Sequence, residues 1–419
     1  MWVTNENLHA EVLIIGGGPS GSSAAYWLAM RGIDVLVLEK KTFPREKTCG
    51  DGLTPRSVKQ LESMGLSDFL STKHRYIGLR SVGFGKTMEL PWPSHPEFPS
   101  YGYVATRSDL DLAVASNSQG VGAKYLFGYE VSSVVLDTNG AIDHVVVSDK
   151  ADGSKFTAKA DYYIVADGAN SRVGRALGAA RRKGEPIGLA IRTYHSSPRH
   201  DDNYIESQLE VRDDNGRVMP GYGWIFPLGD GRVNVGFGLL TNRSRWKSIN
   251  TTNELNRYIA SAPAYWALSK DSELQPPTGG KLPMGHSIEP ISGRNYVVVG
   301  DAAASINPFN GEGISYGYET GRLAADLITR CIEEQDPTKL SEYSQIINDS
   351  YGLYYKAGQH FVNLIANPKI LSVTVWAGMH SAPLMATVLR IMANLLREDK
   401  RGAPELIYET AVKVASRIP

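Results

Sequence analysis

Glu11-Val12-Leu13-Ile14-Ile15-Gly16-Gly17-Gly18-Pro19-Ser20-Gly21 decides the fold: a short apolar strand runs directly into a GxGxxG loop. Ser22 to Arg31 follows with Ala24, Ala25, Leu28 and Ala29 at helical spacing, and Gly32 is placed to end the helix. Asp34 to Leu38 reads as a second strand, closed by Glu39. Gly16, Gly18 and Gly21 permit a tight turn and let backbone approach a pyrophosphate at a helix N-terminus, where N–H groups and the dipole favour anions. A carboxylate at the end of the second strand, Glu39, suits ribose hydroxyls. A lone GxGxxG is a weak signal. Strand, loop, helix, strand and acidic residue in register specify a dinucleotide-binding βαβ unit.

Two later segments point to FAD rather than NAD. Tyr162 to Ala166 is an apolar strand ending in Asp167-Gly168-Ala169-Asn170-Ser171-Arg172, and Tyr296 to Val299 is another ending in Gly300-Asp301. Each puts a carboxylate at the carboxyl end of a buried strand, where open α/β sheets bind ligands. Asp301 can accept hydrogen bonds from a ribityl chain. The helix beginning near Gly313 can turn its N-terminus to a flavin pyrimidine and stabilise negative charge there. Either Asp-Gly alone is a surface turn. In this order they resemble the FAD-dependent oxidoreductases built on the fold of para-hydroxybenzoate hydroxylase.

Just after the first unit stands Phe43-Pro44-Arg45-Glu46-Lys47-Thr48-Cys49-Gly50-Asp51-Gly52-Leu53-Thr54-Pro55-Arg56. With Arg107 in Thr106-Arg107-Ser108-Asp109-Leu110, the Asp167-Gly168 segment and Asn307-Pro308-Phe309-Asn310-Gly311-Glu312-Gly313, this string resembles the geranylgeranyl reductase family. Those flavoenzymes saturate isolated double bonds in polyprenyl chains, and within them the string is most similar to the bacterial menaquinone reductases. The resemblance covers most of the chain and weakens over residues 60–100 and 180–215. It implies FAD as cofactor, lined by Ser20, Glu39, Cys49, Gly50, Gly52, Arg107, Val131, Asp301, Gly313 and Ile314. It also implies a polyprenyl lipid substrate. No second GxGxxG follows a strand, so electrons are expected from a transiently bound NAD(P)H or from a protein carrier.

In Pro220-Gly221-Tyr222-Gly223-Trp224-Ile225-Phe226-Pro227, alternation puts Tyr222, Trp224 and Phe226 on one face of a strand. Leu228-Gly229-Asp230-Gly231 is a turn, and Arg232 to Leu240 returns with Val233, Val235 and Phe237 alternating. The expected product is a hairpin with a broad apolar and aromatic wall. Such a wall suits an isoprenoid tail, which offers only apolar surface worth about 25 cal/mol per Å² buried. Pattern alone fits ordinary core equally. The family's Tyr-x-Trp-x-Phe-Pro motif matches Tyr222, Trp224, Phe226 and Pro227 and implies substrate contact.

An unactivated alkene is a poor hydride acceptor, so its reduction needs hydride on one carbon and a proton on the other, together in a dry pocket. Cys49 is the candidate acid: a thiol titrates at about 8.5, protonated at neutral pH yet able to donate. The plainer alternative is a small residue in a tight turn. Cys331 shows neither CxxC spacing nor a nearby histidine cluster, and no metal site is expected. Glu312 either orients the loop over the cofactor or caps a helix. Arg45 and Lys47 either approach the phosphates or belong with Lys40 and Lys41 to a solvated basic stretch.

Across 419 residues with 42% hydrophobic content and zero formal net charge, the chain can bury a large core and carries no arginine-rich stripe for nucleic acid. Met1 to Ala10 is polar, unlike a signal peptide, and two cysteines fit a reducing cytoplasm. The expected fold is α/β: a Rossmann-type FAD-binding domain over residues 1–75, 100–178 and 285–345. An antiparallel β substrate domain over 76–99 and 179–284, and a helical C-terminal segment over 346–419, complete it. Ile370 to Leu389 contains no Asp, Glu, Lys or Arg and approaches the length of a membrane span, but His380 and Pro383 argue against one. From Leu384, Val388, Ile391, Met392 and Leu395 share a helical face, leaving a cap on the substrate cavity or a peripheral membrane surface. Rival readings are reduction of geranylgeranyl diphosphate or a prenyl glycerolipid, an aromatic hydroxylase or halogenase, and a non-catalytic prenyl-lipid carrier. Halogenases carry Trp-x-Trp-x-Ile-Pro, from which Tyr222 to Pro227 departs; intact Gly16, Gly18, Gly21, Glu39 and Asp301 speak against the carrier.

Overall fold

Two seven-stranded sheets and a set of C-terminal helices form the computed structural model, which describes residues 8–185, 187–213, 215–241, 249–397 and 402–416. Of the polar Met1 to Ala10 segment, residues 1–7 lie outside the described residues, and Leu8 already begins the first strand.

In the first sheet, Leu8–Ile15 lies between Val35–Glu39 and Lys155–Val165, parallel to both. Lys124–Phe127 extends the sheet beyond Val35–Glu39. Lys155–Val165 is long enough to serve two partners on its far side. Its start pairs antiparallel with Ile142–Asp149, and Tyr163 to Val165 pair parallel with Tyr296–Val298. Tyr129–Leu136 closes that edge. Val12 to Ile15 and Val35 to Leu38 are buried on both faces, as a parallel sheet covered by helices requires. One cover is a pair of helices, Pro19–Ala29 and Ile314–Glu333, whose backbones nearly touch. A Cβ on Gly321 would stand 2.2 Å from the Ser20 carbonyl oxygen. The first helix starts at Pro19, three residues before the apolar periodicity suggests, because proline fits a helix's first position. The parallel strands end together at Ile15, Glu39, Val165 and Val298, gathering the glycine loop, Glu39, Asp167 and Asp301 at one edge.

The second sheet runs Thr278–Pro283, Ile187–Ser196, Arg232–Thr241, Gly221–Pro227, Tyr204–Gln208, Gly78–Gly83, Lys86–Pro91, antiparallel except for the Tyr204–Gln208 and Gly78–Gly83 pair. Its register corrects one expectation. Ile225 pairs with Val235 and Pro227 with Val233, so the apolar residues of the return strand share the Ile225 face and not the aromatic one. Val233, Val235 and Phe237 pack there with Leu255, Tyr258 and Trp266. Opposite Tyr222, Trp224 and Phe226 stand Gly238, Gly236 and Asn234. A Cβ on Gly236 would lie 2.0 Å from Trp224 Cζ2, so glycine lets the indole lie flat on the neighbouring strand.

The uncharged Ile370 to Leu389 run is split in two. Pro368–Met379 ends at His380, and Ala382–Met392 starts with Ser381 as its cap, its Oγ accepting from Leu384 N. Among the described residues no helix is long and apolar enough to cross a membrane.

Candidate active site

Gly16 adopts φ +103°, and a Cβ there would stand 2.4 Å from the Ala166 carbonyl oxygen, so only glycine carries the chain through this turn. Glu39 braces the loop it is expected to serve: its Oε2 accepts from Gly17 N at 2.8 Å and its Oε1 from Lys41 N at 2.9 Å. Two carboxylate oxygens offer about four acceptor positions, so both retain capacity for ribose hydroxyls. Arg107 donates from Nε and Nη2 to the buried Asp111 carboxylate at 2.8 and 2.7 Å, and Arg45 Nη2 reaches the same carboxylate at 2.9 Å. Two guanidinium groups on one carboxylate leave net positive charge beside the glycine loop, and buried Arg45 Nε has no partner there. An anionic pyrophosphate fits that imbalance. Arg45 thus leaves the solvated basic stretch, and Lys47 does too, pairing with Asp301 at 3.2 Å.

Asp301 lies beside the open end of the Ile314–Glu333 helix. Gly313, at its N-cap, has no side-chain cap, and a Cβ there would be 3.4 Å from Asp301 Oδ1. Asp167 is committed locally, its Oδ2 accepting from Arg172 N and Val173 N. Glu312 does not cap the helix; its buried carboxylate accepts from the hydroxyls of Thr54 and Ser57, tying the 307–313 loop to the Cys-Gly segment. Burial pushes its carboxyl up.

A cavity of about 940 Å³ connects these groups. It runs from Gly16, Gly18, Ser20, Glu39 and Arg107, past Val131, Asp301, Gly313 and Ile314, to Cys49, Gly50 and Gly52. Beyond, Tyr222, Trp224 and Phe226 form one wall, with ring centroids 6.0 and 6.3 Å apart, and Leu371, Val375, Met385 and Leu389 of the C-terminal helices line the apolar part. Gly21 and Pro227 do not line it. Gly21 packs the helix on its own loop, where a Cβ would lie 1.9 Å from Gly16 O. Pro227 belongs to the Ile225 face, so the alternation that groups the three aromatics turns it away.

The Cys-Gly-Asp-Gly turn lies flat on the aromatic wall: a Cβ on either Gly50 or Gly52 would come within 3.1 Å of the Phe226 ring. Cys49 Sγ accepts from Asp51 N at 3.3 Å. Burial first, and Asp51 second, push its thiol up, so it stays protonated at neutral pH. Tyr222 donates to the Asn310 carbonyl at 2.6 Å, fastening the wall to the loop before the long helix. Three residues of this arrangement escaped sequence reasoning. Asp51 is fully buried, with Oδ2 accepting from Tyr194 and from Asn234 Nδ2. Asn234 also donates to Cys49 O at 2.9 Å and accepts from Trp224 Nε1 at 2.9 Å. A lone amide between Val233 and Val235 was the one available signal; Tyr194 offered none.

Cys331 is buried in the first sheet's core, and both cysteines are free. Among the described residues no group of three or more His, Cys, Asp or Glu is arranged to hold a metal.

A brace of glycines and Glu39, an arginine pair for a pyrophosphate, and an open helix end beside a thiol define an FAD-dependent oxidoreductase. Residues 9–348 match the family model described as an FAD binding domain. The chain is 39% identical over 416 residues to the menaquinone reductase of Mycolicibacterium smegmatis, covering 98% of each. It belongs to the geranylgeranyl reductase family of FAD-dependent oxidoreductases. Digeranylgeranylglycerophospholipid reductase 1 of Methanothermobacter thermautotrophicus is 30% identical over 369 residues, 84% of this chain and 87% of that one. A solved geranylgeranyl bacteriochlorophyll reductase-like protein from Thermoplasma acidophilum shares the fold, with TM-score 0.76 over 98% of this chain and 96% of that one at 22% identity.

Proposed function

We propose that this enzyme saturates isolated double bonds in the isoprenoid tail of menaquinone. One observation carries it: a single cavity joins the dinucleotide loop to an aromatic wall and an apolar far end, with Cys49 between. When bound and reduced, FAD supplies hydride. The rest falls to the chain. Tyr222, Trp224 and Phe226 hold the tail by its apolar surface, the only recognition an isoprenoid allows. The C-terminal helices exclude water from the reacting carbons. Cys49, protonated and beside the wall, gives the second hydrogen as a proton. Residues 1–75, 100–178 and 285–345 serve the cofactor on this reading, 76–99 and 179–284 the substrate, and 346–419 the cap.

Electrons reach the flavin from NAD(P)H or a protein carrier that binds transiently. The enzyme works in the cytoplasm against the membrane that holds its substrate. Pro368–Met379 supports this: Leu371 and Val375 face the cavity, while Ile370, Val373 and Trp376 are exposed on the outside. Flotation with anionic liposomes should carry the wild type upward and leave Val373→Asp/Trp376→Asp at the bottom; equal flotation would remove the membrane contact.

The test of function is mass spectrometry of isoprenoid quinones from cells with and without the protein. Expression should add a menaquinone species heavier by about two hydrogens, the mass of one saturated double bond. Unchanged quinones with altered glycerolipids would instead favour a prenyl glycerolipid, the substrate class in the name of the archaeal relative. No change in any prenyl lipid would return the hydroxylase reading.

A further inference from the structure

We propose that Asp51 acts through Cys49, holding the proton that restores the thiol after each double bond is saturated. The inference rests on Cys49 as the donor. Both acceptor positions of Asp51 Oδ2 are taken, by the Tyr194 hydroxyl and by Asn234 Nδ2 at 2.7 Å. A proton on this carboxyl is therefore confined to Oδ1, which is buried and has no partner. Asn234 clamps the acid to the thiol's own residue through Cys49 O, and Cys49 Sγ folds back onto Asp51 N. The same amide accepts from Trp224, so the clamp is tied to the substrate wall.

The proton balance closes without a further reactant. As the second C–H bond of the product forms, the Cys49 S–H bond breaks and leaves a thiolate. Asp51 Oδ1 makes no hydrogen bond to Cys49 Sγ at rest, so the thiolate reaches its proton by turning about its Cα–Cβ bond: the O–H bond at Oδ1 breaks as the S–H bond re-forms, and the carboxylate takes a proton from water when the product leaves. No electrons move in this relay. The groups facing Asp51 set when it holds a proton: Cys49 and Arg107, Tyr194 with Arg192 stacked on its ring, and behind them Glu46 and Lys47. Burial pushes the carboxyl up to about 6 against the pull of Tyr194, Arg192 and Asn234, so the acid is partly populated near neutral pH.

The experiment is the pH dependence of turnover by the FAD-loaded enzyme, with dithionite as reductant and menaquinone bearing a fully unsaturated tail. Flavin absorbance is recorded for every variant. Wild-type turnover should fall as pH rises past the carboxyl's range. Asp51→Asn should keep the flavin spectrum, lose that limb and turn over about tenfold more slowly or worse. Tyr194→Phe removes a donor that favours the carboxylate and leaves the other hydrogen bonds of the turn in place. Its limb should move up by about half a pH unit or more. That variant also decides the matter if Asp51→Asn fails to bind FAD. An unmoved limb in Tyr194→Phe, or wild-type turnover in Asp51→Asn, overturns the role of Asp51. Wild-type turnover in Cys49→Ser overturns the donor instead, so the two failures are distinct.

Discussion

Replacing Asp51 by Asn should make the folded chain more stable at pH 8 than at pH 4, relative to wild type. The carboxyl stands at about 6 against an ordinary 3.8, raised by burial and opposed by Tyr194, Arg192, Asn234 and Arg107. The native chain thus holds this proton more tightly than the unfolded chain. Between those two values it binds more protons, so stability falls as pH rises through the window, and the whole penalty is present above it. A rise of this size corresponds to about 3 kcal/mol. The amide oxygen of Asn keeps both donors on Oδ2, while its new N–H₂ replaces partnerless Oδ1 and loses about 1 kcal/mol. The pH-dependent part is unaffected by that constant. For a 419-residue chain the unfolding entropy is roughly 0.9 kcal/mol/K, so the melting difference between variant and wild type should grow by about 3 °C from pH 4 to pH 8. Scanning calorimetry of both proteins stripped of flavin reads this directly, since an anion in the cavity would push the carboxyl further. A difference that is flat across pH refutes the buried, raised acid. A difference of opposite slope would mean Asp51 is a stabilised anion.

Gly236→Val should expel the Trp224 indole from its seat, costing about 1–3 kcal/mol of stability and prenyl turnover while the flavin spectrum persists; a wild-type substrate KM would contradict this. Glu39→Ala removes the acceptor of Gly17 N and Lys41 N as well as the carboxylate proposed for the ribose, so FAD should bind roughly 10–100-fold more weakly by calorimetry. Cys49→Ser should bind FAD normally and lose about tenfold or more in turnover, because a hydroxyl is a far weaker acid than a thiol. A serine variant that keeps full turnover ends the thiol's part in the chemistry.

The first sheet was legible because each of its signals is local. Val12 to Ile15, the glycine loop and Glu39 lie within one βαβ stretch, and the strand-end carboxylates repeat the pattern farther on. The aromatic row was legible for the same reason, since alternation along one strand puts Tyr222, Trp224 and Phe226 together. What failed was the step from one strand to the next. Placing Val233, Val235 and Phe237 on the aromatic face required the register of the hairpin, and a shift of one residue moves every side chain to the other side. Pro227 was lost to the same parity, although it lies in the motif itself. Asp51 reads locally as part of a turn, because nothing in its neighbours along the chain says that Tyr194 and Asn234 arrive above it from another sheet.

The Cys-Gly-Asp-Gly turn carries these distant pieces into one another, and its composition follows from what touches it. Phe226 presses on one side, and a Cβ at 50 or 52 would crowd its ring at 3.1 Å. Asp51 has φ +64°, a left-handed conformation that asparagine and aspartate tolerate better than most residues. That conformation delivers its carboxyl to the second sheet while its N–H meets Cys49 Sγ. The Cys49 backbone carbonyl, the Asp51 carboxyl and the aromatic wall therefore meet at a single amide, Asn234, which donates to the first two and accepts from Trp224 Nε1. The indole and the Cys49 backbone share this amide, so the wall and the turn are braced together. A turn of this kind, rather than either sheet alone, is what brings a thiol and a buried carboxyl against the aromatic wall of a general dinucleotide fold.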